Sequence, residues 1–146
     1  MKLFSVVGLL SRNGKILAVS RKTNHEDFGL PGGKIDPGES PEQALARELG
    51  EEIGITPLRF EVAFEDLDRV QDGVPRPCRT YRVLEWAGEP ESKEGAAVAW
   101  VPPSRLLDRS CSFREYNRRL FHALPRLYEP LREEGIDPLF QPEPVK

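Results

Sequence analysis

The stretch at residues 33–55, GKIDPGESPEQALARELGEEIGI, limits what this chain can fold into more than any other. Residues 41–53 read as one helix with both ends marked. Ser40 is placed to cap the N-terminus, Pro41 suits the first helical position, and Gln43 completes a capping box with Ser40. Leu45, Leu49 and Ile53 recur every four residues and form an apolar stripe that must be covered by something else in the molecule. Gly54 follows where helices commonly stop. A helix so defined needs a sheet or a second helix to pack on, and the rest of the chain supplies strands.

Residues 3–10 and 15–20 are apolar, strand-like runs separated by Asn13-Gly14, a dipeptide that tolerates the positive φ angles of a tight hairpin. Further strands are expected near 58–68, 79–87 and 97–101, with 71–77 as a loop and 113–128 as a helix kinked or ended by Pro125. Residues 24–40 carry four glycines and two prolines, too long and too punctuated for a simple connection, and read as a functional loop. The order strands, helix, strands, helix predicts an α+β fold, an α/β/α sandwich. With 146 residues the chain suits a single domain, taken as residues 1–128, with a Pro-rich, extended tail at 129–146.

Composition excludes some functions. A net charge of −3 gives no long-range attraction for nucleic-acid polymers, while a small phosphorylated ligand remains compatible if a metal reverses the local charge. Two histidines are too few for a histidine-rich transition-metal site, and Cys78 and Cys111 are read as reduced thiols. The apolar N-terminal run is too short to span a membrane and lacks a cleavage site, so a soluble cytoplasmic protein is expected.

The chemistry concentrates on the polar face of the helix. Glu48 and Glu52 stand one turn apart and project to the same side, with Glu51 at the margin of that face. Like charges so placed repel, and a hard divalent cation with its preference for oxygen donors would relieve them. The same residues also fit a solvated acidic face. The preceding loop favours the metal: Gly29, Gly32, Gly33 and Gly38 permit a tight backbone path, and a glycine carbonyl can complete a metal shell. Arg47, four residues before Glu51, is placed to orient a glutamate, and Glu39 to anchor the loop or add a carboxylate.

This stretch resembles the Nudix box, G-x5-E-x7-R-E-U-x-E-E-x-G-U with U a bulky aliphatic residue. Gly33, Glu39, Arg47, Glu48, Leu49, Glu51, Glu52, Gly54 and Ile55 fill it without a departure. LPGGK before it and AWVPPSRL after it also suit the family's surroundings. The resemblance implies a Nudix fold, a mixed sheet between helices with the box as loop–helix–loop, and hydrolysis of a nucleoside diphosphate linked to another group, using Mg²⁺ or Mn²⁺. By position it implies Glu48 and Glu52, then Glu51, as metal-binding and catalytic carboxylates, with the Gly33 carbonyl as a backbone ligand and Arg47 orienting a glutamate.

Outside the box the chain is most similar to the MutT-type branch, the nucleoside triphosphate pyrophosphohydrolases. That likeness implies Glu94 as a further metal ligand or general base, Asn117 as a hydrogen-bonding partner of a purine base, and Arg21 and Lys22 as phosphate-binding residues. Leu30 stands where an aromatic can precede PGGK, which leaves Phe28 as the nearby ring for a base. The expected partner is a small nucleotide, with the protein a monomer or homodimer. ADP-ribose, nucleotide sugars and dinucleoside polyphosphates are the alternative substrates, and a non-catalytic nucleotide-binding module is a third reading.

Overall fold

A computed structural model describes residues 2–69 and 72–124. Among these residues eight strands lie between two helices. β1 (Ser5–Leu9), β5 (Gly32–Lys34), β6 (Thr56–Arg69) and β7 (Pro75–Ala87) form a mixed sheet in the order β5-β1-β7-β6, with β1 parallel to β7 and antiparallel to β5. β2 (Ser11–Arg12), β3 (Lys15–Arg21), β4 (Asn24–Gly29) and β8 (Val98–Val101) form an antiparallel sheet around β3. α1 (Pro41–Ile53) and α2 (Arg114–Ala123) complete the described residues, with a 3-10 turn at Pro103–Leu107.

Alternation along the strands explains the layers. Leu17 and Val19 of β3 join a core with Val6, Leu45, Leu49 and Ile53 on the α1 side. Ile16 and Ala18, one residue out of phase, join Leu106, Leu120 and Phe121 on the α2 side. Leu45, Leu49 and Ile53 are fully buried, and each contributes about 2 kcal/mol of hydrophobic stabilisation. The ends of α1 are as expected: Ser40 and Gln43 form the reciprocal capping box, and Gly54 takes φ 72° and returns its N–H to Gly50 O. No helix among the described residues is long and apolar enough to cross a membrane.

The structure corrects three expectations. The hairpin at Asn13-Gly14 (φ 51° and 80°) joins β2 to β3 rather than closing the first long run on the second, because β1 turns into the other sheet. Residues 24–40 are not one loop, since they contain β4 and β5. A Cβ on Gly32 would sit 2.1 Å from Val6 O, so this glycine is there to let β5 approach β1. The expected loop at 71–77 gives way to strand at Pro75. Pro75 and Pro77 precede the stretch Cys78–Arg82 that is flanked on both sides, so a missing N–H is tolerated there. The helix expected over 113–128 is described as Arg114–Ala123; Pro125 and the expected tail at 129–146 lie outside the described residues.

Candidate active site

α1 lays its polar face along β5, and this sets the first contacts of the site. Glu52 is held by its own backbone surroundings, as Gly32 N–H donates to its Oε1 at 2.9 Å. The Glu48 carboxylate lies directly over Gly33, where an added Cβ would stand 2.5 Å from its carboxyl carbon. Glycine at 33 therefore keeps open a cradle for that carboxylate. Burial pushes the Glu52 carboxyl up to about 8, opposed by the Gly32 hydrogen bond and reinforced by the charges of Glu48 and Glu94. Burial also raises Glu48, in spite of its bond from Arg47.

Arg47 is the organiser of the loop. Its Nε donates to Glu39 Oε2 at 2.6 Å and its Nη2 to Glu39 Oε1 at 3.0 Å, a two-point grip. Nη2 also reaches Lys34 O at 2.9 Å, and Nη1 reaches Glu48 Oε2 at 3.0 Å and Glu51 Oε1 at 3.2 Å. The sequence pointed to Glu51 as the partner, and the structure adds Glu39 as the tighter one. Arg47 holds the Glu39 carboxyl below the usual range, and the Asp36 N–H does so further. Glu51 itself is exposed.

Two cavities meet at this face of the molecule. One, of about 520 Å³, is lined by Arg21, Lys22, Glu52, Glu94, Leu30 and Phe113 among others. The other, of about 540 Å³, has Phe4, Val7, Tyr116 and Asn117 in its wall, with Asp68 and Asp72. Leu30, Gly32 and Phe113 line both, so the polar and the largely apolar space adjoin along a shared wall. Lys22 Nζ lies 3.7 Å from Glu94 Oε1, and His25 Nε2 lies 3.1 Å from Gly95 O, which ties the β3–β4 turn to the loop ahead of β8.

The structure thus brings Arg21, Lys22, Glu52 and Glu94 to one cavity and Gly33 and Asn117 to the next, while Glu48, on α1, packs against Gly33 and lines neither. Asn117 is buried and spends one Nδ2 hydrogen on Leu106 O at 3.3 Å. Phe28 is not in either wall; it packs in the α2-side core under the Arg105 guanidinium, 4.9 Å from its ring centre. The ring that does stand between the cavities is Phe113, seated on Gly29, where a Cβ would come within 3.1 Å. A signal for it existed: Phe113 precedes Asn117 by one helical turn, so the two share a side.

The donor set fits a hard divalent cation. Glu48 and Glu52 offer carboxylate oxygens that burial leaves short of compensating charge, and the Gly33 cradle admits Glu48 to the backbone. Among the described residues no three His, Cys, Asp or Glu side chains are preassembled as a cage, so carboxylates that close on the ion, with water, would complete its shell.

The NUDIX domain family matches residues 2–124. The chain belongs to the Nudix family. It is 39% identical over 132 residues to a Haemophilus influenzae protein named 8-oxo-dGTP diphosphatase, covering 84% of this chain and 92% of that one. It is 33% identical over 111 residues to an Escherichia coli protein named CTP pyrophosphohydrolase, covering 73% and 82%. The crystal structure of a MutT NUDIX hydrolase from Burkholderia pseudomallei superposes with a TM-score of 0.62 at 29% identity, over 71% of this chain and 86% of that one. The Nudix fold, a mixed sheet flanked by helices, is therefore shared.

Proposed function

We propose that this Nudix hydrolase acts on nucleoside triphosphates, with a divalent cation, to release a nucleoside monophosphate and pyrophosphate. The observation that carries the reading is the pair of adjoining cavities. One presents Arg21, Lys22, Glu52 and Glu94, a set suited to a phosphate chain and its cation. The other presents apolar and aromatic walls with Asn117, suited to a base. Relatives named for 8-oxo-dGTP and for CTP favour a triphosphate and leave the base open.

In this reading Glu48 and Glu52, with Glu51 and the Gly33 carbonyl in support, would hold the cation, which leaves Glu94 as the candidate base. The cation would be Mg²⁺ or Mn²⁺, and when bound it offsets phosphate charge and acidifies water. Arg21 and Lys22 take the phosphate chain, and Lys22 would leave its pairing with Glu94 to do so. A Glu94 carboxylate so released accepts the proton of an attacking water. Arg47 holds the Glu48 carboxylate in place over Gly33 by donating to its Oε2. Positioning and charge, rather than a covalent intermediate, supply the rate.

The test is a panel of nucleoside triphosphates, ADP-ribose, nucleotide sugars and dinucleoside polyphosphates with Mg²⁺. Turnover of triphosphates well above the other classes is expected. A higher kcat/KM on ADP-ribose or on nucleotide sugars would overturn the substrate assignment.

A further inference from the structure

A buried carboxylate outside the box bears on the same site. Asp27, in β4, is 6% exposed and accepts from three donors. Arg21 Nε donates to its Oδ2 at 3.0 Å, the Ser112 hydroxyl donates to the same oxygen, and the Ser112 N–H donates to Oδ1 at 2.8 Å. Ser112 belongs to the turn that leads into α2, so the carboxylate is braced from a second element 85 residues away in sequence. A neighbouring set of bonds pins the same turn to the same strand: Arg105 Nη2 and the Ser110 hydroxyl both donate to Glu26 O, at 2.7 and 3.2 Å.

The geometry has a direction. Arg21 meets Asp27 through Nε, so its two terminal nitrogens are not spent on this carboxylate, and its guanidinium lies 5.7 Å from the Phe113 ring centre. A long side chain lining a cavity is thereby held at its root by a charge-assisted bond and flanked by a ring. We propose that Asp27 is a positioning residue: braced by Ser112, it fixes the Arg21 guanidinium towards the phosphate chain of the substrate. This rests on the triphosphate reading above.

Asn at position 27 cannot reproduce the arrangement. With its carbonyl oxygen towards Arg21, its amide NH₂ opposes the Ser112 N–H; flipped, the NH₂ opposes Arg21 Nε–H. Either way a donor loses its acceptor and the charge is gone. The experiment is a double-mutant cycle on the full chain, D27N, R21A and D27N/R21A, measuring KM and kcat for a nucleoside triphosphate with Mg²⁺, alongside thermal unfolding. D27N is expected to raise KM about tenfold, the size of one charge-assisted bond's loss, with kcat changed less than threefold. In the R21A background the same substitution should change KM less than threefold. An unchanged KM in D27N, whatever happens to its melting temperature, overturns the proposal. So does a KM rise of equal size with and without Arg21. If the wild type hydrolyses no triphosphate, the triphosphate reading itself fails and this inference goes with it; wild-type turnover with an additive cycle sinks the inference alone.

Discussion

Replacing Glu52 by Gln gives the sharpest physical test of how the acidic site is built. Burial holds the Glu52 carboxyl near 8 in the metal-free protein, against an ordinary value of 4.5. Between those values the unfolded chain has released a proton that the folded chain keeps. Stability contributed by the neutral carboxyl is therefore full below about pH 4.5 and is lost as pH rises through about 8. At about 1.4 kcal/mol per pH unit the gap sets an upper limit of roughly 5 kcal/mol, and relaxation and solvent at the cavity mouth bring it to about 2 kcal/mol. Gln keeps an oxygen for the Gly32 N–H and mimics the protonated side chain, so it escapes this loss. With chelator present, E52Q should gain on the wild type between pH 5.5 and 9 by roughly 6 °C in melting temperature. Added Mg²⁺ at pH 8 should stabilise the wild type and have much less effect on E52Q. A melting difference that stays constant across that pH range would refute the reasoning, because the buried charge would then not be felt.

Two further substitutions separate the parts of the site. Arg47→Lys keeps a charge but not the fork that grips Glu39 while reaching Lys34 O, Glu48 and Glu51. It should lower kcat/KM on the order of a hundredfold and reduce stability by about 1–2 kcal/mol, read by kinetics and chemical denaturation. Wild-type activity in R47K would remove Arg47 from its organising role. Gly33→Ala should leave the molecule folded, because its Cβ meets the movable end of Glu48, yet weaken Mg²⁺ binding at least tenfold by calorimetry. Unaltered Mg²⁺ affinity would show that the cradle does not matter.

What the sequence made legible follows the range of the interactions. α1 and its caps were readable to the residue because Ser40, Gln43 and Gly54 act within one helical turn of where they stand. The hairpin at Asn13-Gly14 was readable for the same reason, although which strand lay on its near side was not. Glycines concealed β4 and β5: Gly29 and Gly32 read as loop punctuation, whereas one seats Phe113 and the other lets β5 reach β1. At the site, the box residues were legible because their spacing is itself a pattern. Phe28 and Phe113 show the limit, since both are rings near glycines or the box, and only the packing of α2 decides that the second stands between the cavities. Asp27 left no mark on the sequence, because its partners, Arg21 and Ser112, meet it through the folded sheet.

The metal-dependent hydrolysis itself is tested most directly by ³¹P NMR of a nucleoside triphosphate incubated with the wild type, E48Q and E52Q in Mg²⁺. The account predicts equal growth of nucleoside monophosphate and pyrophosphate signals for the wild type, slowed at least a hundredfold in both variants and abolished by chelator. Nucleoside diphosphate and orthophosphate as the products, or variants as fast as the wild type, would contradict it.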